Sequence, residues 1–131
     1  QDDLDLWTNL EAQCRMFGVP YVAVPLPEYW IKDEERIMVG GVPVVGLHTP
    51  GHTPGSMSFH VPGDSLVLAG DTLFRGSIGR TDLWGGDFDT IERSIRERLY
   101  TLADETTVVT GHGPETEIGV EKESNQFFRV E

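Results

Sequence analysis

Cysteine, cations and long apolar runs are all scarce in this chain. Cys14 is the only cysteine and cannot close an internal disulfide, so a stapled scaffold is excluded and a reducing, cytoplasmic setting fits best. Ten Lys and Arg residues stand against 22 Asp and Glu, for a formal net charge of −12. That balance argues against nucleic-acid phosphate or an anionic membrane as the main partner. No stretch approaches the ~18 apolar residues of a membrane span, and no charged-then-apolar leader opens the chain. Methionine is limited to Met16, Met38 and Met57 while the chain opens on Gln1, so its first residue is not expected to be a translation start.

What remains is ordinary globular material. The 131 residues are 38% hydrophobic, and 15 glycines and 8 prolines supply turns without any repeat, which suits one domain spanning 1–131. Acidic Asp2, Asp3 and Asp5 precede Leu6, Leu10, Cys14 and Phe17 at helical spacing. That pattern predicts one amphipathic helix ending at Gly18 and Pro20, with Cys14 packed on its apolar stripe. Tyr21 to Trp30 carries three prolines and reads as an extended connection. Met38–Val42 and Val44–Leu47 form a hairpin pattern about Gly40-Gly41. Met57–Val61 and Ser65–Ala69 are two further strands, and the apolar run Leu66-Val67-Leu68-Ala69 is expected to be buried on both faces.

Asp71 to Gly86 lacks periodicity and reads as a long structured loop. Asp89 with Glu92 suggests a capping box ahead of Ile91, Ile95, Leu99 and Leu102. A strand at Thr106–Thr110 and a last helix running from beyond Thr116 towards Phe127 and Phe128 complete an α+β pattern.

Three polar residues each emerge where a strand runs into glycine: His52 in T-P-G-H-T-P-G-S, Asp71 in A-G-D-T-L-F, and His112 in T-G-H-G-P. Glycine lets the backbone turn sharply there, and strand ends hold ligands in fixed geometry. Two imidazoles and a carboxylate suit zinc, iron or manganese. Any one of them alone is more commonly a turn or surface residue, so the joint placement carries the signal. Thr53 and Ser56 are placed to hydrogen-bond around the His52 turn. Arg80 reads chiefly as a pin for the glycine-rich loop through Asp82 or Asp87, and Arg75 as either such a pin or a contact for a substrate carboxylate. His48 and His60 read as sheet residues.

From Val39 to Phe128 the sequence resembles the second half of a metallo-β-lactamase-fold hydrolase of the glyoxalase II-like kind. The resemblance rests on the stretches around His52 and Asp71, on G-S-I-G-R-T-D (Gly76–Asp82) with Gly85-Gly86-Asp87, and on G-H-G-P-E-T (Gly111–Thr116) with Ile118-Gly119, Glu121-Lys122 and Asn125. It implies an αββα sandwich, seen as its C-terminal half plus a preceding helix. By the same resemblance His52 ligates the first of two divalent metals, Asp71 bridges both, and His112 ligates the second. Zinc is the first expectation for those metals, with iron or manganese as alternatives. It also implies hydrolysis of a small thioester such as S-lactoylglutathione by a metal-bridging hydroxide that Asp71 orients.

The family's H-x-H-x-D-H segment is absent, so the chain reads as a truncated portion. Alone it is expected to hold metal weakly or not at all, to be inactive, and to self-associate through surface left uncovered. Two other readings stand beside the hydrolase: a persulfide dioxygenase-like enzyme with one iron, and a non-catalytic half-domain.

Overall fold

The computed structural model describes all 131 residues, Gln1–Glu131. Two short helices open the chain, α1 (Leu4–Thr8) and α2 (Leu10–Phe17). The single helix expected from the apolar spacing is broken at Asn9. The Asn9 amide competes with the backbone there, donating to the Asp5 carbonyl at 2.8 Å. Neither helix buries a residue, and Cys14 is half-buried rather than packed in a core.

Six strands form the main sheet: β1 (Arg36–Val39), β2 (Val42–His48), β3 (Met57–Val61), β4 (Leu66–Gly70), β7 (Thr107–Thr110) and β8 (Thr116–Glu117), hydrogen-bonded in that order. All neighbours are antiparallel except β4 and β7. The β1–β2 turn falls on Gly40-Gly41, both at positive φ, as the glycine pair predicts. Between β4 and β7 the chain makes a small hairpin, β5 (Leu73–Phe74) with β6 (Ser77–Ile78), inside the stretch read from sequence as loop.

Next comes α3 (Phe88–Ser94), which continues through a π-helical turn, Ile95–Leu99. Its N-cap is Asp87, not Asp89: Asp87 is extended, and its carboxylate accepts the Thr90 amide at 2.7 Å. Asp89 therefore falls inside the first turn, where its charge suits the helix dipole. The last helix, α4 (Ile118–Ser124), is shorter than expected. Asn125 stops it, its side-chain oxygen accepting the amides of Phe127 and Phe128.

Ile91, Ile95 and Leu99 lie on one stripe and are fully buried, as their spacing predicts. They pack with Val67, Ala69, Val108, Ile118 and Phe128 into one core between the helices and one face of the sheet. The other face is open. Leu68 points into it and is 40% exposed, so β4 is buried on one face and not on both as its apolar run suggested.

Candidate metal centre

The parallel strands β4 and β7 end side by side, joined by a hydrogen bond from the Gly111 amide to the Gly70 carbonyl at 2.7 Å. Asp71 follows β4 directly, His112 follows β7 after Gly111, and His52 sits on the turn between β2 and β3. His52 Nε2 lies 3.5 Å from Asp71 Oδ2, and His112 Nε2 lies 3.8 Å from Asp71 Oδ1. The three residues read from sequence as ligands are thus brought together, each imidazole against a different oxygen of one carboxylate.

Glycine makes this approach possible. A Cβ on Gly111 would collide with Oδ1 of Asp71. Gly51, at φ +134°, brings the His52 turn so close to α3 that a Cβ would strike the backbone of Ile91.

Hydrogen bonding limits what each side chain can offer a ligand. His52 Nδ1 is 2.9 Å from the Arg80 carbonyl, which can only accept, so Nδ1 carries the proton. The second nitrogen, Nε2, then faces a carboxylate oxygen, where a proton or a bound cation between them would satisfy both. Asp71 accepts no other hydrogen bond. His112 stacks on Phe74, ring centroids 4.6 Å apart, and its side chain is 77% exposed, leaving that side open.

No three His, Cys, Asp or Glu side chains are grouped to hold one ion. The donors instead suit two ions sharing Asp71, each with one histidine and one oxygen. Two donors per ion fall short of the three or four that protein zinc sites use.

Around the donors lies a hollow of about 460 Å³. Arg75 and Arg80 both line it, in different states. Arg80 is held by Asp82 through two bonds of 2.8 and 2.9 Å, which lower the Asp82 carboxyl to about 2 and raise the Arg80 guanidinium. Arg75 makes no ion pair or side-chain hydrogen bond. Thr53 and Ser56 share a hydroxyl bond of 2.7 Å that closes the His52 turn, and the Thr53 amide donates to Ser56 Oγ.

Asp3 gave no signal in the sequence beyond an acidic helix start. Its carboxylate turns away from α1 to accept the Thr53 hydroxyl at 2.6 Å and the Gly55 amide at 2.5 Å. Only the fold reveals that contact, because it crosses 50 residues. His48 ends β2 and faces a different hollow, with Nε2 2.9 Å from the Pro54 carbonyl. His60 lies within β3, where burial lowers its pKa. Neither histidine approaches Asp71.

The sequence profile of the Metallo-beta-lactamase superfamily matches residues 1–112, and the chain belongs to that family. It is 44% identical over 120 residues to the probable metallo-hydrolase YqgX of Bacillus subtilis, covering 92% of this chain and 56% of that protein. It is 41% identical over 129 residues to the hydroxyacylglutathione hydrolase GloC of Haemophilus influenzae, covering 98% and 61%. Its fold is similar to that of TTHA1623, solved in a di-iron-bound form, with a TM-score of 0.88 at 38% identity over 97% of this chain and 62% of that one. The chain therefore spans somewhat over half the length of these relatives. Membership gives it part of the α+β fold of that superfamily. None of its helices is long and apolar enough to cross a membrane.

Proposed function

We propose that this chain carries the shared-carboxylate half of a two-metal hydrolase that cleaves small thioesters, with S-lactoylglutathione as the type substrate. The observation that supports it most is the paired approach of His52 and His112 to opposite oxygens of Asp71. Likeness to GloC, named a hydroxyacylglutathione hydrolase, supports the substrate class.

In this reading His52 and Asp71 would hold one ion and His112 and Asp71 the other, zinc being the first expectation. Bound there, a divalent pair would supply Lewis acidity towards an acyl carbonyl and towards water. The chain's own residues set the geometry. The Arg80 carbonyl fixes the His52 tautomer, Thr53 and Ser56 close its turn, and the Arg80–Asp82 pair holds the loop that supplies that carbonyl. Donor counting requires further ligands from a segment or chain beyond these residues.

The test is metal content with S-lactoylglutathione turnover, measured once the donor set is completed. Asp71→Ala is expected to lose bound metal and lower turnover by ~10²-fold or more. Metal content and turnover near the parent's level would contradict the assignment. Oxygen uptake on a persulfide with one iron per chain would favour a dioxygenase instead.

A further inference from the structure

Beneath the hollow lies a carboxylate with no cation beside it. Glu121 of α4 is fully buried, yet none of the chain's ion pairs includes it. Its oxygens accept the Gly76 amide at 2.9 and 3.1 Å, the Thr116 hydroxyl at 2.6 Å and the Asn125 amide at 2.7 Å. Asn125, one turn further along, also donates to the Ser77 carbonyl at 3.1 Å. Burying a carboxylate is costly unless fixed donors replace its water, and here the donors include the β5–β6 turn itself. The turn Phe74-Arg75-Gly76-Ser77 is thus bolted at two successive residues from below.

That turn presents two side chains to the hollow. Phe74 packs on His112, and Arg75 extends beside it without any partner. Arg80, the other guanidinium of the hollow, is already occupied by Asp82. In a chain of net charge −12, Arg75 is the uncommitted cation next to the donors, on a backbone held still. A planar guanidinium so placed suits a carboxylate.

We infer that Arg75 is a specificity-determining residue that takes a carboxylate on the thiol part of the substrate, and that buried Glu121 is the positioning residue that holds its turn. This rests on the thioester reading of the same site and adds to it the residue that reads the charge of the thiol.

The test compares two acetyl thioesters, of N-acetylcysteine and of N-acetylcysteamine, which differ only by a carboxylate. Binding to the whole chain is followed through the Gly76 amide and Arg75 Nε resonances, with no hydrolysis required. The anionic thioester is expected to bind about fivefold tighter or more. Arg75→Ala should abolish that difference, and Arg75→Lys should restore part of it. Glu121→Gln leaves one acceptor oxygen for the Gly76, Thr116 and Asn125 donors that two oxygens now share, and should weaken the preference while the neutral thioester binds as before. Equal binding of the two thioesters, no binding of either, or a preference that survives Arg75→Ala overturns the inference. Should Glu121→Gln fail to fold, the Arg75 variants decide alone. A charge preference without thioester hydrolysis in the completed enzyme would sink the hydrolase reading and leave Arg75 standing. Hydrolysis blind to charge would do the reverse.

Discussion

Asp71 is useful because of what surrounds it at the scale of single atoms. Both oxygens are left to imidazoles, and the neighbouring Gly111 has no side chain to push the carboxylate away. Gly111→Ala is therefore expected to displace Asp71 and destabilise the fold by about 1–3 kcal/mol, read from denaturant unfolding. An unchanged midpoint and an undisturbed Asp71 would refute the close approach. Arg80 and Asp82 give a second residue-scale prediction. The two hydrogen bonds hold the Asp82 carboxyl at about 2, below its ordinary 3.8. A depressed carboxyl stabilises the fold above its unfolded pKa, and this contribution fades as pH falls from 3.8 towards 2. The carboxyl carbon signal of Asp82 should accordingly titrate near 2, and a midpoint near 3.8 would mean that the pair is not formed in solution.

Elements show where sequence was legible. Local spacing sufficed for Ile91, Ile95 and Leu99, since a 3.6-residue stripe must face something, and it sufficed for the Gly40-Gly41 hairpin. Replacing Ile95 by Ala is expected to cost 2–5 kcal/mol, roughly, by emptying the centre of that stripe, as equilibrium unfolding would report. A loss below about 0.5 kcal/mol would place Ile95 outside the core. Sequence failed where side chains outcompeted local patterns. The Asn9 amide broke the first helix, Asp87 took the cap assigned to Asp89, and Asn125 ended α4 early. Asp3 is the furthest case, an acid legible as a helix start that instead clamps Thr53 and Gly55. Asp3→Ala should speed exchange of the Gly55 amide by about tenfold, the loss expected for a hydrogen bond to a charged group. Exchange at the parent rate would mean that α1 does not anchor the His52 turn.

For the whole molecule, one sheet face is packed by helices and the other carries half-exposed Leu68. The proposed donor set is similarly one-sided, and would give two donors to each of two ions. The strand-end triad His52, Asp71 and His112 was legible because each member follows a strand beside a glycine, a pattern sequence carries openly. The distribution of the two oxygens of Asp71 between the two histidines was not, because it depends on β4 and β7 ending in parallel register. In the proposed reading both features belong to a molecule organised around one carboxylate shared by two half-sites.

That claim is tested most directly by titrating the chain with zinc while following the ring nitrogens of all four histidines by NMR. The Nε2 signals of His52 and His112 are expected to respond together, those of His48 and His60 to stay silent, and Asp71→Ala to remove both responses at once. Responses at His52 and His112 that survive Asp71→Ala, or zinc binding that centres on His48 or His60, would contradict it.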